Sequence, residues 1–210
     1  MYLSRIELDT RRRNTMVKLL ASPHVVHAVV ENCFTRPAGV AKTRSLWRID
    51  DLAGKKYLLV LSEEKPDFSH MIGEYCREDA KGESRSYDKL LQSVQEGSTY
   101  SFKLVANPVK EMNNKKVGIY DSAELVSWLV RKAEANGFKV DVNTLRVSPV
   151  AKVEFGRHQG EPKVVITKVS YEGVLHVTDP EGFIRALTQG IGRAKAYGCG
   201  LLTVVPTVLR

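Results

Sequence analysis

From Thr99 to Val205 the hydrophobic pattern changes period in one particular order, and that order constrains the fold more than any other feature of the chain. Thr99 to Ala106 alternates apolar and polar residues, as a half-buried strand does, and stops at Asn107-Pro108. Asp121, with Glu124 three residues on, has the form of a capping box. It predicts a helix to about Asn136-Gly137 with Leu125, Trp128, Leu129 and Ala133 on its apolar face. Val150 to Phe155 and Val164 to Val177 read as two strands joined by the polar turn Gly156 to Pro162. Asp179-Pro180 opens a further helix to about Thr188, a glycine-rich loop follows, and Gly200 to Val205 closes as a strand. Strand, helix, strand, strand, helix, strand is the split βαβ order of a ferredoxin-like unit.

The first half carries a weaker version of the same order. Tyr2 to Leu8 predicts a strand and Arg11 to Asn14 a basic loop. Ser22-Pro23 predicts an N-cap and first helical residue, with a helix to about Phe34 and Val26, Val29, Val30 and Cys33 on its apolar side. Thr35 to Lys42 is a Pro/Gly loop, and Leu46 to Ile49 and Tyr57 to Leu61 are strands turning at Gly54. The polar stretch from Asp67 to Gly97 yields only one short helix, Tyr87 to Val94. The expected architecture is therefore α+β, with two tandem ferredoxin-like (βαββαβ) domains, residues 1–96 and 97–210.

Composition enters through charge. Lys and Arg number 32 against 24 Asp and Glu, a formal net charge of +8, which points to a polyanionic partner. No apolar run reaches the ~20 residues of a membrane span, and the N-terminus has no apolar signal core, so a cytoplasmic protein is expected. The cysteines Cys33, Cys76 and Cys199 form no CxxC pair, which argues against a disulfide framework or a zinc ribbon.

Among five histidines only His24 and His27 are close in sequence, three residues apart in the first turns of the predicted helix. One of them could simply cap or pack locally. Alternatively, free N–H groups at a helix start attract phosphate, and a neutral imidazole beside it can move a proton near pH 7. No third ligand accompanies the pair, so no metal is expected. In GIGRAKAYGCG, Gly190, Gly192, Gly198 and Gly200 interleave with Arg193 and Lys195. A helix stop and turn would need only one or two glycines, and a loop lying against a phosphate backbone would use all four. The segment is neither a Rossmann fingerprint nor a P-loop. Arg157, His158 and Lys163 make a basic hairpin turn, and Arg11, Arg12 and Arg13 a basic loop; each is either a solvated surface or an RNA contact. There is no RNP1-type aromatic strand, HExxH or GxSxG.

The ordered set MYLSRIEL, PHVVH at 23–27, KLVANPVK at 103–110, AELVSWL at 123–129, YEGVLHVTDP at 171–180 and QGIGRAKAYGCGLLTVVP at 189–206 resembles the CasE family. This is the CRISPR-associated RNA endonuclease of the type I-E (Cascade) system, and the resemblance covers nearly the whole chain. It implies two ferredoxin-like domains and metal-independent cleavage of the CRISPR precursor transcript at the repeat stem-loop, with no cofactor. The implied product is a crRNA with a 5′ handle and a 3′ hairpin, on which the enzyme stays. The implied partners are that RNA and the other Cascade subunits, with the free protein a monomer. The family's catalytic histidine lies at His27, and His24 stands where the family commonly has tyrosine. Whether His24 takes over the tyrosine's role or positions the RNA is open at this stage. Two other readings compete: a non-catalytic subunit that binds the crRNA hairpin, and an enzyme acting on a small phosphorylated substrate.

Overall fold

Alternation in β1 (Tyr2–Leu8) buries Ser4, Ile6 and Leu8 on one face, and α1 (Pro23–Glu31) covers that face with Pro23, Val26, Val29 and Val30. The computed structural model describes residues 1–35, 43–156 and 162–207. A five-residue π-helical turn, Thr15–Leu19, precedes α1 and was not anticipated; it follows the expected basic loop. α1 is shorter than the sequence predicts. Beyond Glu31 the chain tightens, with Cys33 and Phe34 donating to Val30 and Glu31, three residues back instead of four.

β2 (Leu46–Leu52) and β3 (Lys55–Ser62) form a hairpin whose turn residues, Ala53 and Gly54, both have positive φ, as a two-residue I′-type turn requires. β4 (Glu83–Ser86) pairs with β1, giving an antiparallel sheet in the order β2-β3-β1-β4. That is a ferredoxin-like sheet, but its second helix is missing. Between β3 and β4 the chain makes only a 3-10 turn at Ser69–Met71. The expected helix at 87–94 is α2 (Asp88–Gln92), which follows β4 and so is not the motif's second helix. The sequence ESRS has no apolar residue to announce β4, which holds by backbone pairing at a sheet edge.

The second half supplies β5 (Thr99–Ala106), a small hairpin of β6 (Val109–Met112) and β7 (Lys115–Gly118), α3 (Ser122–Glu134), β8 (Phe138–Val147), β9 (Ala151–Phe155), β10 (Val164–Val177), α4 (Pro180–Gln189) and β11 (Leu202–Pro206). The order β11-β5-β10-β8 is again ferredoxin-like. One expectation is corrected here. The motif's second strand is β8, which was not foreseen, and Val150 to Phe155 is instead one arm of a hairpin extension. β10 is long enough to do both jobs: Val164–Lys168 pairs with β9, while Val169–His176 enters the sheet against β5. β8 is a sheet-edge strand with one buried end, at Phe138, and its register against β10 is broken by a bulge near Gly173. Asp121 does cap α3, accepting from the Glu124 N–H at 2.9 Å, but the Glu124 carboxylate reaches Lys110 instead of closing a capping box.

A second apolar cluster fills this half, and Leu46, Leu61, Tyr87 and Val94 from the first half join it. Across the same seam Arg48, 2% exposed, binds Asp50 with two nitrogens at 2.8 and 2.7 Å. It also donates to the carbonyls of Leu201 at 2.9 Å and Lys103 at 3.1 Å and to Thr203 Oγ1 at 2.8 Å. The β2 edge of one sheet thus lies against the β11 end of the other.

Candidate nucleic-acid interface

The seam brings together elements that sequence reasoning found separately. α4 ends at Gly190, and the loop from there to Gly200 returns across the seam so that its 3-10 turn, Lys195–Tyr197, packs on α1 and β2. Gly198 explains its own identity. Its φ is +77°, and a Cβ there would sit 2.5 Å from the Trp47 ring on β2. Gly190 is similarly pressed against Leu46, and Gly200 donates to the Val105 carbonyl at 2.7 Å. Gly190, Gly198 and Gly200 are buried; Gly192 is half-buried and Arg193 exposed.

The outer surface of this loop is an open depression of about 410 Å³ lined by Arg44, Gly192, Arg193, Ala194, Lys195 and Ala196. It has three cations and no acid. Lys195 anchors to the Gln189 carbonyl at 2.7 Å, and both burial and the nearby Arg44 hold its pKa below the usual lysine range. The backbone N–H groups of residues 192–196 donate to no acceptor among the described residues. Successive amides without an acceptor, beside cations, are the ingredients of an anion-binding concavity. Arg44 was missed because it follows an unremarkable loop; only the tertiary fold brings it to Lys195.

His24 and His27 sit on the flank of α1, both half-buried, beside the buried stripe. Ser22 has extended backbone and its hydroxyl does not cap the α1 start. The β9–β10 hairpin arm is tied to the same place: Phe155 meets the Tyr197 ring edge-on at 4.8 Å. Lys163 on that arm is exposed and pairs with Glu154 at 3.1 Å, while Arg157 and His158 lie outside the described residues. In the basic loop the three arginines differ. Arg11 is held by Asp9 at 3.0 Å, and Arg12 donates to the Gly73 carbonyl and lies near Asp9; Arg13 is exposed and has no such partner among the described residues. Elsewhere His70 Nε2 lies 3.1 Å from the Val29 carbonyl and His176 Nδ1 3.0 Å from Thr99 Oγ1, both in local structural bonds. The buried thiols of Cys33 and Cys76 are pushed up to about 12 by desolvation, which keeps them protonated and unreactive.

Fold and site define a tandem ferredoxin-like protein with a cationic depression at the seam between its units. The chain belongs to the family described as CRISPR associated protein, matching it over residues 1–206, and within it to the type I-E CasE group. It is 28% identical to the CRISPR-associated endoribonuclease Cse3 of Thermus thermophilus, over 98% of this chain and 100% of that one. It is 32% identical to the Cascade subunit CasE of Escherichia coli over 54% of this chain and 61% of that one. A solved structure of CRISPR endoribonuclease Cse3 bound to a 19 nt RNA superposes with a TM-score of 0.84 at 28% identity, covering 98% of this chain and 100% of that chain.

Proposed function

We propose that this chain is a CRISPR repeat-processing endoribonuclease that cuts the precursor transcript at its stem-loop, stays on the product hairpin and serves a Cascade-type complex in the cytoplasm. The observation that carries the reading is the packing of the cationic glycine-rich loop against α1, the helix that bears His24 and His27. Relatives named for endoribonuclease activity and as a Cascade subunit support it. We place the boundary between the two domains at 96/97.

RNA brings its own nucleophile. The 2′-OH beside the scissile phosphate attacks in line, leaving a 2′,3′-cyclic phosphate and a 5′-OH, so no metal-bound water is needed. His27 takes or gives the proton, a contribution of roughly 10²–10⁴-fold, and the held geometry supplies the rest. His24, one turn away on the same flank, shares that edge of the site. Arg44, Arg193, Lys195 and the free amides of residues 192–196 hold backbone phosphates. The buried Gly190, Gly198 and Gly200 act by shaping that surface, and Gly192 lets the backbone come close. Arg13 and the hairpin residues Arg157, His158 and Lys163 extend the contact along the stem. Arg11 and Arg12 contribute positive field from their tethered positions. The A-form stem is read by shape and phosphates, because its major groove is deep and narrow.

The test is cleavage of the cognate repeat hairpin in EDTA. Cutting persists, His27→Ala slows it by at least roughly 10²-fold with hairpin affinity retained, and removing the 2′-OH upstream of the cut abolishes it. Cleavage that stops in EDTA, or survives loss of the 2′-OH, overturns the chemistry. Binding without cleavage at any pH makes the chain a hairpin-holding subunit.

A further inference from the structure

Behind the first turn of α1 lies a second, smaller cavity of about 140 Å³, whose walls include Pro23, Val26, Trp47, Arg48, Lys168 and Gly198. It is several times the ~30 Å³ that one water occupies in the liquid, so a polar group of a few atoms fits. Lys168 stands at the point where β10 leaves the hairpin arm and enters the sheet, between the buried Thr167 and Val169. Its ammonium lies 5.7 Å from the centroid of the Trp47 ring and makes no ion pair or hydrogen bond among the described residues. Trp47 is only 2% exposed, yet its indole nitrogen Nε1 is buried with no acceptor.

One orphaned donor, the Trp47 indole N–H, and one half-buried ammonium without a counter-charge thus line one cavity. The cation gains some attraction over the aromatic face, whereas the indole N–H has no acceptor, and buried donors in native proteins are nearly always satisfied. The lining offers no counter-charge. Arg48, the other cation there, is fully engaged by Asp50, Thr203 and two carbonyls. The nearby Cys199 thiol is pushed up to about 11 by burial and stays neutral. Burial also holds the Lys168 pKa below its ordinary value, which an incoming anion would reverse. An incoming anion would meet the indole N–H and the ammonium together, and the cavity lies under the helix start that carries the two histidines.

We propose that Lys168 and the Trp47 indole N–H form a subsite that takes one backbone phosphate of the bound RNA beside the first turn of α1. The subsite rests on the reading of the chain as a repeat-RNA endoribonuclease. In it Lys168 is a positioning residue: by fixing a phosphate near the cut it sets where the 2′-OH lies relative to His27.

The experiment measures binding of the cognate repeat hairpin across a salt series, with the 2′-OH at the cut removed so that affinity is read without turnover. Variants Lys168→Met, Lys168→Gln, Lys168→Arg and Trp47→Phe are compared with the unaltered protein, each with its melting temperature. Lys168→Met melts no lower than the parent, because it removes a desolvated cation, yet binds about tenfold more weakly. Its log–log salt slope is shallower by the ~0.7–0.9 expected for one lost phosphate contact. Lys168→Arg keeps the slope, and Trp47→Phe weakens binding without changing it. Lys168→Gln repeats the measurement should the methionine variant not fold. Parental affinity and slope in either neutral variant overturn the subsite alone. So does lost affinity at an unchanged slope, which would mean that Lys168 only packs on Trp47. A parent protein that binds no repeat hairpin overturns the functional reading and the subsite with it.

Discussion

Gly198 illustrates how much one residue contributes to the seam. Its φ of +77° and the 2.5 Å approach to Trp47 leave no room for a side chain. Gly198→Ala combines a left-handed backbone penalty of about 1 kcal/mol with an overpacking cost of roughly 1–3 kcal/mol. Thermal denaturation should therefore report a loss of about 2–4 kcal/mol, and the loop's cations should be displaced from α1. In the sequence the glycine cluster was legible as a loop of unusual demands. Its immediate reason was not, because the ring that excludes a Cβ lies on β2, 151 residues earlier in the chain. The two histidines were legible for a local reason: Pro23 and their spacing place them at a helix start without any tertiary information.

At the scale of the element, legibility followed burial. α3 has its whole apolar stripe in the core, and its start, cap and face were readable. Asp121→Ala removes the acceptor for the Glu124 N–H and should cost about 1 kcal/mol in chemical denaturation, with hairpin cleavage at 25 °C unchanged. β4 and β8 were not readable, and both are sheet-edge strands. β4 has no buried side chain, so nothing in ESRS requires an extended conformation apart from the partner groups of β1. β8 does alternate, but most of its side chains face solvent, and the register break against β10 shows that packing alone does not fix its pairing. The β9–β10 arm was read correctly as a hairpin and wrongly as part of the motif, because strand periodicity does not say which neighbour a strand pairs with.

For the molecule as a whole, the relation of the two units depends on the Arg48–Asp50 pair. Burial alone would raise the Asp50 pKa. The Arg48 hydrogen bonds and charge, with Lys103 behind them, outweigh that and hold it below 3.8. The sign follows from linkage. A carboxyl whose folded pKa is depressed adds stability that is fully present above the unfolded value near 3.8 and is lost as pH falls through the lower folded value. Asp50→Asn leaves the buried guanidinium without its counter-charge and should destabilise the protein by about 3–5 kcal/mol at neutral pH. Acid titration of stability should then show the difference from the parent narrowing below about pH 4, where the unfolded parent's Asp50 takes up a proton that the folded state still refuses. A gap that stays constant down to pH 2 would mean the pair is not ionised as described.

The local alphabet is written in the order of residues: the capped helices, the alternating core strands, the histidine-bearing helix start, the demand for glycine at 190–200 and the surplus of positive charge. These depend on propensity, periodicity and composition, which act over a few residues. Which strand is the motif's second, the place of Arg44 beside Lys195, and the cavity that Lys168 shares with the unmet Trp47 indole N–H all came from the assembled fold. Each of these joins residues far apart in the chain, and such neighbours are chosen by the packing of whole sheets and by the burial of Arg48 between them, which no short window of sequence contains.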